Sequence, residues 1–212
     1  KEKNDLKGAE ECFGRAMEIK EKQNETEGLA ELYGNRVNVL LMLGKLDIAE
    51  KLIKESMRTN KKSGNEIGLM KDYRNMGNLS MQKTDWANAD KFYKDALEIN
   101  NKTSNNKTNN RYEISEDYRN RGNLYLQKED WGLCEKLSLQ ALEIAEEIKD
   151  LRNVCHDSRI LGKVYAEKKS RNKQEDYYKK ALEASVELRD EGEQQIDHRN
   201  LGELCLGRGY KE

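Results

Sequence analysis

Proline is absent from all 212 residues. Because it is the residue that most strongly ends helices and marks turns and sheet edges, its absence favours an all-helical chain. Long apolar runs are missing too: no stretch approaches the roughly 20 residues that a membrane-spanning helix needs. Neither sign of charge dominates, since 39 Lys and Arg face 40 Asp and Glu. That excludes a bulk field able to draw in nucleic acid or an anionic membrane, so electrostatic selectivity has to be local. Histidine is scarce, with two residues, and Cys12, Cys134, Cys155 and Cys205 show no metal-type spacing. We read the cysteines as small buried apolar residues and expect no metal, no cofactor and a cytoplasmic location.

What is present is charge and repetition. Only 35% of the chain is hydrophobic and 37% is charged, a lean balance for a globule and a better one for an elongated array. DYRNMGNL at 72–79 returns as DYRNRGNL at 117–124. Arg74 recurs as Arg119, Arg159 and Arg199, at spacings of 45, 40 and 40, and Gly77 recurs as Gly122, Gly162 and Gly202. Forty residues earlier, Tyr73 and Asn75 fall on Tyr33 and Asn35, whereas Gly77 falls on Val37. The period is therefore 40, with one five-residue insertion in the Asn-rich stretch at 100–110.

The second half of each unit repeats as well. Ala89 aligns with Ala9, Ala49, Cys134 and Gln174, and Ala96-Leu97 with Ala16-Met17, Ser56-Met57, Ala141-Leu142 and Ala181-Leu182. Apolar residues in both halves recur at three- and four-residue steps, so each unit is a helical hairpin. Asp85 and Asp130 stand where a side-chain acceptor caps the second helix, and Trp86 and Trp131 follow to pin the turn.

This hairpin resembles the tetratricopeptide repeat (TPR): Tyr73, Met76, Gly77, Ala89, Tyr93 and Ala96 fit its pattern, as do Tyr118, Gly122, Tyr125, Ala141 and Leu142. A 40-residue period without Pro is similar to the long-helix subclass of kinesin light chains and of spindle-orientation adaptors with Asn-Leu-Gly-Asn repeats. The resemblance implies an all-α fold, a right-handed α-α superhelix (TPR solenoid) of about ten antiparallel helices. As a single domain over 1–212, it has a half repeat at 4–24, repeats at about 26–62, 66–104, 111–149 and 151–190, a terminal helix at 193–207, and a surface loop at 100–110. Residues 4–23 match only a second helix and 193–207 only a first, so the sequence is expected to be a fragment of a longer chain. Arg171 and Gln174 replace the Trp and Ala of other repeats, and that hairpin is expected to be looser.

A mid-helix glycine costs about 1 kcal/mol against alanine, so its recurrence implies a close helix crossing. Arg and Asn do not serve that crossing. In the repeat this resembles, first helices line a concave wall, which would carry Arg74, Asn75, Asn78, Arg119, Asn120, Asn123, Arg159, Lys163, Arg199 and Asn200. With Lys71, six cations there face Glu31, Glu116, Glu167 and Glu203, which points to an acidic ligand. The expected function is a non-enzymatic scaffold that holds an extended or helical segment of a protein or peptide partner, with no nucleic acid and no membrane.

Rival readings differ in what these residues do. The polar ladder could instead solvate the wall and bridge neighbouring repeats. Arg74, Asn78 and Asn120 resemble part of the carboxylate clamp of heat-shock co-chaperones, but His156 and Ile160 stand where its other basic pair belongs. A homo-oligomer could form through the C-terminal helix by covering Leu201, Leu204, Cys205 and Leu206, and a sensor arm of a larger protein is a further alternative. Catalysis finds little support: Cys155, His156 and Asp157 are consecutive, and consecutive helical residues point about 100° apart. His198 falls at a packing position.

Overall fold

The computed structural model describes residues 2–23, 28–103 and 108–209. Among these lie ten α-helices and no strand: α1 Glu2–Lys22, α2 Leu29–Met42, α3 Leu46–Ser63, α4 Glu66–Gln82, α5 Trp86–Thr103, α6 Thr108–Gln127, α7 Trp131–Glu147, α8 Leu151–Glu167, α9 Arg171–Glu187 and α10 Glu191–Gly209. The even-numbered helices are the first helices of the repeat and the odd-numbered ones the second. They gather into two compact units, one holding α1–α5 and the other α6–α10.

The turns follow from local chemistry. Each hairpin closes through three residues, one of them left-handed: Gly44, Thr84, Glu129 and Lys169. Behind Thr84, the Asp85 amide donates to the Ser80 carbonyl at 2.9 Å, which satisfies an end group that α4 would otherwise leave bare. Asp85 then caps α5 by accepting from the Asn88 amide, and Asp130 caps α7 by accepting from the Leu133 amide at 3.0 Å. Asn65, Asp150 and Asp190 do the same for α4, α8 and α10, none of which had been marked from the sequence.

Packing within each unit explains the recurring glycine. A Cβ added at Gly77 would lie 2.4 Å from the Tyr93 ring, and one at Gly162 would lie 2.3 Å from the Tyr178 ring. At Gly122 the facing residue is Ser138, whose Oγ would be 2.9 Å away. The α8–α9 crossing is thus as close as α4–α5, despite Arg171 and Gln174. Arg171 instead donates to the carbonyls of Leu204 and Gly207 near the end of α10. Around these crossings, Val37, Leu40, Ile53 and Leu79 centre the core of the first unit, and Leu142, Ala145, Leu161 and Tyr165 a core of the second.

Several local expectations change. Cys134 and Cys155 are buried, but Cys12 and Cys205 are exposed, because their helices offer no second layer over those positions among the described residues. His198 is exposed rather than packed. Helix α5 continues through Asn100, which is buried, to Thr103, and α6 begins at Thr108. Residues 104–107 of the Asn-rich stretch lie outside the described residues.

Candidate binding face of the first helices

The repeated arginines have two fates. Arg119 on α6 and Arg159 on α8 were expected on an open wall, and the structure turns both inward. Arg119 is 8% exposed, and its Nε donates to Asp157 Oδ1 at 2.9 Å while Nη2 donates to Ser115 Oγ at 3.2 Å. Arg159 forks onto Asp197, with Nε to Oδ1 at 2.5 Å and Nη2 to Oδ2 at 2.7 Å, and also meets the Glu193 carboxylate and carbonyl. The reason lies in the acceptors. Asp157 and Asp197 have no exposed surface, and a buried carboxylate is costly unless a cation and further donors surround it. Both arginines therefore act as bridges between successive first helices.

Sequence reasoning missed these aspartates. The signal was present, since Asp72, Asp117, Asp157 and Asp197 each stand two residues before a repeated arginine. Within one helix that spacing does not bring side chains together. The pairing is instead across repeats, from Arg119 to Asp157 and from Arg159 to Asp197, 38 residues each.

The other ladder residues divide between packing and surface. Asn75 is buried at 9% exposure, and Asn78 accepts from the Tyr93 hydroxyl at 2.7 Å and so serves the α4–α5 hairpin. Arg74 is half-buried, with Nη2 3.4 Å from Met70 Sδ. In the second unit, Asn120, Asn123 and Asn200 are half-buried, whereas Lys163 and Arg199 are exposed. Asn200 lines a cavity of about 500 Å³ with Arg171, Tyr178 and Glu203.

Reactive groups are subdued. Burial pushes the Cys155 thiol up to about 11, and its Sγ donates to the Ala181 carbonyl at 3.3 Å. A thiol so held is a poor nucleophile at neutral pH. Among the described residues no cluster of His, Cys, Asp and Glu has the make-up of a metal site, and no helix is long and apolar enough to cross a membrane. On α10, Leu204 was expected to be bare but is buried, Leu201 is half-buried, and Leu206 is 66% exposed.

No family model and no curated protein matches the chain. Among solved structures it is similar to BtubC (BKLC) from P. vanneervenii, with a TM-score of 0.82 and 17% identity over 96% of this chain and 84% of that one. The TPR2AB-domain:pHSP90 complex of yeast Sti1 matches at 15% identity over 98% of this chain and 95% of that one, with a TM-score of only 0.36. The likeness to BtubC and the ten helices in hairpins show the fold: among the described residues the chain is all-α, built of repeated helical hairpins.

Proposed function

We propose that the protein is a non-enzymatic scaffold of the long-helix TPR type, a single repeat array over 1–212 that holds a segment of a partner protein against the concave face of its first helices. The observation that carries this reading is the second unit's division of labour. Arg119 and Arg159 are consumed internally. Lys163 and Arg199 stay exposed, and the half-buried Asn120, Asn123 and Asn200 offer amides that both donate and accept. Such a face grips a peptide backbone through its amides and selects acidic side chains through its cations. Four free cysteines accord with a reducing, cytoplasmic setting.

The test uses the exposed cations, since reversing Arg119 would orphan Asp157 and unfold the site. An array of acidic peptides is screened against the chain and against the Lys163→Glu, Arg199→Glu double variant. The reading expects an unchanged melting temperature and roughly tenfold weaker binding or more. Equal binding by both proteins would refute it. Leu206, bare on α10, favours a second reading in which another copy covers that helix. Light scattering across concentrations decides it, and a strict monomer removes it.

A further inference from the structure

In the second unit each internal arginine lies 38 residues before the aspartate it meets. The same count back from Asp72 on α4 reaches Gly34 on α2, the first helix packed beside α4. A Cβ built at Gly34 would meet nothing within 4 Å among the described residues, so there is room for a side chain at Gly34 itself. Asp72 remains 4% exposed where Asp157 and Asp197 have no exposed surface.

Its present partners are neutral. Asn60 Nδ2 on α3 donates to Asp72 Oδ2 at 2.7 Å, and the Ser56 hydroxyl is the second donor. Two donors leave part of a carboxylate's four lone-pair sites free and none of its charge compensated. Burial consequently pushes the Asp72 carboxyl up to about 6, against the pull of Asn60 and Ser56. Beside them, Leu29, Tyr33, Ser56 and Asn60 border a cavity of about 220 Å³.

We propose that the place beside Gly34 and Asp72, equivalent in register to the one Arg119 and Arg159 fill in the second unit, is a subsite for the guanidinium of an arginine carried by a bound segment, which completes from outside the pair that Arg119 and Arg159 complete from within. A planar guanidinium suits this place better than an ammonium because it can fork onto the carboxylate while Asn60 and Ser56 keep their bonds. The inference rests on the proposed scaffold role only for the source of the arginine, and the subsite itself is tested with a small probe.

The Asp72 side-chain carboxyl of the full chain is titrated by carbon NMR, alone and with millimolar N-acetyl-arginine amide or its neutral isostere N-acetyl-citrulline amide. The arginine probe is expected to lower the midpoint by roughly 1–3 units, as a cation within a few ångströms does, and citrulline to leave it. Gly34→Arg should produce the same fall without any probe, whereas Gly34→Gln should not. If Gly34→Arg titrates like Gly34→Gln, the place does not admit a guanidinium and the proposal is overturned. It is equally overturned if Gly34→Arg lowers the midpoint while the free arginine probe, at saturation, does not. Acidic-peptide binding at Lys163 and Arg199 is read separately, so failure of the scaffold role remains distinct from failure of this subsite.

Discussion

The two units bury the same carboxylate and treat it differently. In the second unit, Asp157 and Asp197 each receive a guanidinium from the preceding first helix. In the first, Asp72 receives an amide and a hydroxyl from α3, because Gly34 stands where the arginine would be and Ser56 and Asn60 stand where α7 has Ala141 and Ala145. Charge neutralisation was thus exchanged for neutral hydrogen bonds. The exchange keeps both helices packed but leaves Asp72 a carboxylate that resists ionisation, while in the second unit the arginines tie one repeat to the next.

The largest effect expected from breaking this comparison is in the second unit. Arg119→Met leaves Asp157 fully buried without its guanidinium, with only the exposed His156 imidazole 3.5 Å from Oδ1, which costs about 3–5 kcal/mol of stability in chemical denaturation. Adding Asp157→Leu should recover most of that loss, since replacing both members of a buried pair by apolar side chains is often neutral. A loss below about 1 kcal/mol in the single variant would mean that water reaches Asp157 and that the pair is not a tie between repeats.

Next comes the carboxylate without an arginine. The folded-state value of Asp72 is raised from 3.8 to about 6, so the folded protein holds this proton more tightly than the unfolded chain. Its contribution to stability is full below 3.8 and is lost as pH rises through about 6. Asp72→Asn removes the burden of the ionised form. It should raise stability near pH 8 by up to about 3 kcal/mol and change it little near pH 4, with thermal melts at both values as the check. A gain of equal size at both would show that ionisation is not the cause.

A third change should affect both units alike. Gly77→Ala and Gly162→Ala drive a methyl group into a tyrosine ring, Tyr93 or Tyr178, and each should cost about 1–3 kcal/mol. Gly122→Ala should cost less, because Ser138 yields more easily than a ring. Melting curves for the three variants check this order. Should Gly77→Ala and Gly162→Ala differ widely, the two units differ in their helix crossings as well as in their carboxylates.

How much of this was legible in the sequence depends on the range of the interaction. The period, the hairpins and the role of Gly77 and Gly162 could be read because a glycine inside a helix carries a fixed local cost wherever it stands. Asp85 and Asp130 were readable as caps for the same reason, since a cap acts within three residues. Arg119 and Arg159 were recognised as a ladder, but their destinations were not. Their partners lie 38 residues on, and the exposed side of a helix is settled by the helix beside it rather than by its own pattern. Leu204 was misjudged in the same way: it packs on a unit whose reach along α10 no local rule gives.

The smallest effect concerns the end of the series. Gly202 occupies the position of Gly77 and Gly162, yet a Cβ there would meet nothing within 4 Å among the described residues. With no crossing to protect, the glycine keeps only its penalty, and Gly202→Ala should stabilise the protein by up to about 1 kcal/mol. The sign is the informative part. A destabilised variant would mean that another surface lies against α10 in solution, the situation expected if a second copy covers Leu206. Repeating the melts of Gly202→Ala over a range of protein concentrations separates the cases, because a penalty arising between copies grows with concentration and one arising within a single chain does not.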